Sequence, residues 1–391
     1  MLLLQPIILS LLLSCAMTAM LSGVPVNVIN QLIEHFGGNE KAIFVVQLGI
    51  SISSLITGLT SLFLSYNTKW HSKNILMQGL LIIGIVGFLS GFTTNPILFI
   101  FLRSILGIGC AMTFAGALHI MRHILPYEKQ GNFYALNSLF ISINMISVAL
   151  MAKMLISYNK SLYLFGYYLI ALIPVYFVFK TVHNPEQHHA QAANGHNSSD
   201  VKSSLFDICK FWFGFFAIFS ITCSFNVVLF NVPILIQDLA LSHHVITKFM
   251  VFYSIFGIIF SFIGARLINV IGTKNVFLLG ISVLIAGLKT LSVASSEMWF
   301  YAGIVLIGTA AGLSFVNFTV FMQSILDKSK MRFATNMSTA AIYFGFFFAS
   351  IFSYVARNYS TGGKIPDVIY INYLLIFCIT IVMLALFLRK K

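Results

Sequence analysis

The run FIFLRSILGIGCAM, residues 99–112, sets one arginine among apolar side chains. A guanidinium stays protonated at any ordinary pH, so Arg103 is a fixed cation wherever the fold puts it. Gly107 follows one helical turn later, on the same helix face, and Gly109 stands two residues beyond it. Small residues let a neighbouring helix approach closely. A buried cation in such a place must be satisfied by an anionic or carboxylate-bearing ligand, by a backbone carbonyl or by water.

The other groups with chemistry are sparse. None of the ten acidic residues falls deep within an apolar run. Glu34, in NVINQLIEHFGG, and Asp238 come nearest, at the ends of the first and seventh runs. Proton-driven work inside a membrane usually needs a buried group that titrates near working pH, most often a carboxylate. Glu34 is expected first on a short interfacial helix outside the bilayer, with the coupling role as its alternative. His119 is a further titrating group. Asparagines are costly against lipid and are expected to line a cavity. They are Asn137 and Asn144 in the fifth run, Asn226 and Asn231 in the seventh, and Asn317 in the tenth; Tyr343 joins them from the eleventh. The five cysteines show no metal or redox spacing. No convergent His, Asp, Cys or Ser set points to catalysis, and no G-x-x-x-x-G-K-(S/T) loop points to ATP. The expectation is a protein that is not an enzyme and holds neither metal nor cofactor.

The elements that position these residues are dictated by composition. The chain has 391 residues, 59% hydrophobic and 8% charged, against roughly 25% charged in soluble domains. So much apolar surface calls for lipid as solvent. The net charge of +13 forms no compact patch, which argues against nucleic acid. Twelve runs reach the ~20 apolar residues a spanning helix needs: 5–28, 42–64, 75–95, 97–121, 132–156, 162–181, 211–237, 247–269, 275–296, 298–323, 333–356 and 369–388. The start, MLLLQPIILSLLLSCAM, lacks a basic n-region and runs on into apolar sequence, so it is read as the first span rather than a leader. The expected fold is an all-α membrane protein of twelve transmembrane helices in two pseudo-symmetric six-helix bundles. Residues 1–181 form the first bundle, 182–208 a polar linker and 209–391 the second. The linker carries four histidines without ligand spacing. With the N-terminus in the cytoplasm, fifteen Lys and Arg fall on the cytoplasmic side and six outside. That bias places both termini in the cytoplasm.

The chain is written twice. HSKNILMQG at 71–79 is echoed by GTKNVFLLG at 272–280, a shift of 201 residues. At that shift Gly107 meets Gly308, Met121 meets Met322 and Lys129 meets Lys330, while Ile304 stands where Arg103 would be. Parallel repeats of this kind suit a carrier that rocks one half against the other around a central site.

Architecture and motifs together resemble the major facilitator superfamily over essentially the whole chain. The loop after span two in that family reads like G-x-x-x-D-(R/K)-x-G-(R/K)-(R/K). Here LSYNTKWHSKN (64–74) keeps little beyond Lys73, and ARLINVIGTKN (265–275) keeps Gly272 and Lys274 but has Asn269 where the acid would stand. In span four, Arg103, Gly107 and Gly109 match the R-x-x-x-G-x-G of the family's proton-antiporter branch. The glycine- and proline-rich pattern of drug antiporters is missing from span five, 136–155. The resemblance implies that Arg103 faces the central cavity and couples to protons or substrate, and that loop residues Lys73, Asn269, Gly272 and Lys274 serve gating. It implies a monomeric secondary carrier in the cytoplasmic membrane, in contact with lipid. Its expected task is proton-coupled export of a drug-like compound or metabolite, a siderophore among the options. Uptake or facilitated diffusion of a polar nutrient is the first alternative, and a membrane enzyme or sensor on a carrier scaffold the second.

Overall fold

The computed structural model describes residues 5–66, 71–125, 127–182, 205–238, 244–325, 331–359, 369–373 and 375–376. Every regular element among them is helical. Ten helices are long and apolar enough to cross a membrane, eleven when the bent pair at the start counts as one. Span one is that pair, Pro6–Met17 and Met20–Asn27, bent by 44°. Spans two to five are Glu40–Tyr66, Ser72–Ser90, Pro96–Ile124 and Tyr127–Ser157. Span six starts as a 3₁₀ helix, Ser161–Ala171, and continues as the α-helix Leu172–Thr181. Spans seven to eleven are Leu205–Asp238, His244–Ile271, Thr273–Ser292, Glu297–Ile325 and Met331–Tyr359. Each follows an expected run to within several residues. Of the twelfth run, residues 369–373 and 375–376 are helical, and the rest lies outside the described residues. So does most of the expected linker, 183–204, with its four histidines.

Local chemistry sets the helix ends. Asn95 caps span four, its Oδ1 accepting from the amides of Ile97 at 2.9 Å and Leu98 at 3.3 Å, with Pro96 at the first helical position. Gly272 has a φ of 82° at the turn between spans eight and nine, a conformation that side-chain-bearing residues avoid. In lipid, helices gain little from hydrophobic contact with one another, so close packing of small residues decides where they meet. A Cβ on Gly107 would strike the Ser53 carbonyl of span two. One on Gly308 would lie 2.7 Å from the Tyr253 carbonyl of span eight. Gly79 sits against Thr113, and Gly280 against Ser314, one repeat further on. The duplication seen in sequence is therefore a duplication of helix contacts.

The two halves meet where span two crosses span eleven and span five crosses span eight. Gly58 admits the ring of Phe344, which lies 2.5 Å from where a Cβ would stand. The Ser138 and Ser261 hydroxyls share a hydrogen bond of 2.7 Å. Large apolar side chains such as Phe63, Ile97, Phe101 and Phe216 stay exposed, as lipid-facing surface requires.

The packing makes a direct prediction. Gly107→Ala forces a methyl onto a backbone carbonyl and should cost about 1–3 kcal/mol of stability. Gly131→Ala, with nothing within 4 Å, should be neutral or stabilising. Thermal unfolding of the two variants in detergent checks the difference.

Candidate functional site

Pro25 lies inside the helix Met20–Asn27. It has no N–H, so the carbonyl four residues earlier, that of Leu21, loses its helical donor. Arg103 takes that place. Its Nη2 donates to the Leu21 carbonyl and, at 3.3 Å, to Ser53 Oγ. Its Nε donates to the Gly49 carbonyl at 3.3 Å and its Nη1 to the Tyr168 hydroxyl at 2.8 Å. Tyr168 in turn donates to the Met20 carbonyl at 2.7 Å. Arg103 is 0% exposed. The cation is thus held by carbonyl dipoles and hydroxyls from spans one, two and six.

The sequence folds this way for local reasons. A 3₁₀ helix has three residues per turn, so Phe165, Tyr168 and Ala171 fall on one line and all three are buried. Span three meets that line with Gly87 against Tyr168, Gly91 against Phe165 and Gly84 against Leu172. The glycine groove seats Tyr168 with its hydroxyl beside Arg103.

These facts correct the expected place of Arg103. It does not line the cavity; it grips the backbone of the cavity wall from behind. The reason is the orphaned Leu21 carbonyl, a stronger partner than open solvent. Gly107 and Gly109 are packing contacts, the first on span two and the second against Ile82 of span three, 2.7 Å from an added Cβ.

Between the halves lies a cavity of about 220 Å³. Spans one, four, five, seven, eight, ten and eleven contribute to it. Its lining includes Thr18, Leu21, Asn137, Asn226, Tyr253 and Tyr343, with Phe114, Phe315 and Phe346 as its apolar faces. Every lining residue among those described is free of formal charge.

Of the expected cavity residues, Asn137, Asn226 and Tyr343 are there, and three asparagines are not. Asn144 donates to the Ala16 carbonyl at 2.8 Å and accepts from Tyr167 at 3.0 Å, bracing the break in span one. Asn231 donates to the Val227 carbonyl and to Ser353 Oγ at 2.9 Å, in a small separate recess with Gln47. Asn317 donates to the Thr273 carbonyl at 2.7 Å, matching the place where Gly116 lies against Ser72 in the first half. In each case a nearby backbone carbonyl or hydroxyl competes successfully for the amide.

Glu34 takes its interfacial-helix placement and not the coupling one. It is exposed on the short helix Ile29–His35, outside the cavity. Gly37 and Gly38, both with positive φ, turn the chain away there. Among the loop candidates, Lys73 donates to the Phe179 carbonyl at 3.0 Å and sits over its ring, capping the last turn of span six. Asn269, Gly272 and Lys274 are exposed at the turn before span nine. His119 lies in a recess with Ser72, Arg122 and Asn336 rather than in the cavity.

Two residues escaped the sequence reading. Tyr168 was hidden among aromatics, its one signal being the spaced glycines of span three. Asn372, in the twelfth run, accepts from Ser224 Oγ at 2.8 Å and donates to the Ser224 carbonyl at 3.4 Å. Met20 and Tyr168 are separated by 148 residues, and so are Ser224 and Asn372. The first ties span six to span one through a hydroxyl, and the second ties the twelfth run to span seven through a carboxamide.

The clamp predicts a coupling. Arg103→Met should destabilise the protein because it strands the Leu21 carbonyl. Pro25→Ala supplies an N–H to that carbonyl, so the arginine substitution should cost about 1 kcal/mol less in that background. A double-mutant cycle read by thermal unfolding checks it; purely additive effects would show that the proline plays no part in the clamp.

Comparison with known proteins follows the same lines. Residues 8–350 match the family model described as Major Facilitator Superfamily. Comparison with curated proteins finds no match. Among solved structures, the proton:xylose symporter XylE bound to 6-bromo-6-deoxy-D-glucose is similar at a TM-score of 0.76 and 14% identity, over 97% of this chain and 95% of that one. A mutant of the nucleoside transporter NupG is similar at 0.69 and 18%, over 99% and 100%. The human organic anion transporter MFSD10 (TETRAN) is similar at 0.75 and 11%, over 96% and 99%. At such identities the likeness is one of fold.

Proposed function

The chain belongs to the Major Facilitator Superfamily, and we propose that it carries a small uncharged organic solute across a membrane by alternating access, as facilitated diffusion. The cavity between the halves is the binding site in this reading. The observation that carries it is the lining, in which no described residue bears a formal charge. A charged solute would enter such a cavity without a counter-charge, at a heavy desolvation cost. A neutral solute, of the kind named for the xylose and nucleoside transporters, suits it better than an organic anion. Proton coupling through the cavity would need a group there that titrates near working pH, and the lining offers none among the described residues. The bias of Lys and Arg supports both termini in the cytoplasm and a place in the cytoplasmic membrane. The proposed carrier works as a monomer.

A second reading, proton-coupled export of a drug-like compound or metabolite, is favoured by one observation, the Arg103-x-x-x-Gly107-x-Gly109 pattern. Its coupling residue would then act through the backbone of span one.

Proteoliposome flux with a panel of neutral and charged metabolites separates the two. Facilitated diffusion gives equal flux with and without an imposed pH gradient. Accumulation driven by the gradient would establish coupling instead, and its loss in Arg103→Lys would assign it to the clamp.

A further inference from the structure

The polar groups of the cavity differ in how much hydrogen-bonding capacity they have already used. Thr18 donates its hydroxyl to the Cys15 carbonyl at 2.7 Å and Thr339 to the Thr335 carbonyl at 3.0 Å. Ser138 is engaged with Ser261 across the two halves. Asn226 donates its Nδ2 to the Thr222 carbonyl at 2.9 Å. Asn137 is different. It is 6% exposed, it belongs to the cavity wall, and its Oδ1 is buried with no hydrogen-bond partner. An acceptor stranded in apolar surroundings is unfavourable until something pairs with it. Nothing else in the described lining repeats this situation at a carboxamide.

A carboxamide sets an acceptor and a donor side by side. That pattern pairs two-fold with a group carrying an adjacent donor and acceptor, as asparagine does with the edge of a nucleobase. The surroundings add a second requirement. Phe114, Phe315 and Phe346 bring aromatic faces from spans four, ten and eleven, which suit a flat apolar body. A sugar, with hydroxyls all round its rim, would leave most of them unpaired against such walls. The absence of charge in the described lining excludes compensation for an ionised ligand.

We propose that Asn137 is the recognition group for the carried solute, and that the solute is a small neutral heteroaromatic compound with adjacent N–H and C=O groups, a lactam or primary amide edge. This rests on the cavity being the carrier's binding site. The carboxamide of Asn137 pairs with that edge, and the aromatic walls hold the ring.

The test uses the full chain in proteoliposomes with four probes: uracil, nicotinamide, nicotinate and xylose. Saturable, protein-dependent flux is expected for uracil and nicotinamide. Nicotinate, the same ring with a carboxylate, and xylose should move far more slowly. Asn137→Leu should raise KM for uracil about tenfold or more. The same variant should unfold no earlier than the parent, because it removes an unpaired polar group rather than a made bond. That combination is not what a structural role would give. If Asn137→Leu does not fold, Asn137→Ser is expected to show the same KM shift. Unchanged KM in the folded variant overturns the role of Asn137. Flux of xylose or nicotinate without uracil or nicotinamide overturns the substrate class while the carrier reading stands. Flux of none of the four above protein-free vesicles overturns both.

Discussion

The carbonyl of Leu21 has no helical donor because Pro25 has no N–H, and much of the first half is arranged around supplying one. A bilayer core offers no water to do it. The guanidinium of Arg103 does it instead, and its remaining donors go to Gly49, Ser53 and Tyr168. Spans one, two, four and six are tied at one point as a result. A charge that would be costly alone in hydrocarbon is spread over carbonyl and hydroxyl dipoles. The break in span one is fixed by the same bonds, so Thr18, Ala19, Leu21 and Ser22 form part of the cavity wall.

The two halves share a frame and differ in this device. Gly107 and Gly308 make the same close approach, and so do Gly79 and Gly280. Tyr168 on Met20 ties span six to span one, and Asn372 on Ser224 ties the twelfth run to span seven, at positions the 201-residue shift does not pair. At the position of Arg103 the second half has Ile304, which is fully buried. Rigid packing in one half and a lighter polar tie in the other is a physical asymmetry within a duplicated fold. Among the described residues the halves touch through hydroxyl pairs, Ser138 with Ser261 and Tyr343 with Thr18, and through ring-on-glycine contacts such as Phe344 on Gly58.

A cavity without formal charge narrows the chemistry that membership of a large carrier family leaves open. Fold alone does not specify a substrate. Structures similar to this one bear names that span sugars, nucleosides and organic anions. The differences among such carriers reside in the few side chains that face the cavity. Here those are aliphatic, aromatic and hydroxyl groups with two carboxamides, one of which has a buried oxygen without a partner.

Sequence by itself determined the architecture, because span length, hydropathy and the 201-residue echo are one-dimensional properties. It also marked Arg103, Gly107 and Gly109 as a unit. It could not say that Arg103 and Pro25 serve the same carbonyl, since their meeting depends on helix rotation and on Tyr168, 65 residues beyond the arginine. The asparagines divide for the same reason. Asn137 and Asn144 lie two turns apart on one helix, yet one belongs to the cavity wall with a buried, unpartnered oxygen and the other bridges Ala16 and Tyr167. A polar side chain within a span is legible as costly from its type alone. Whether it is satisfied by its neighbours or left for a ligand is decided by which carbonyls the packed helices bring within about 3 Å of it.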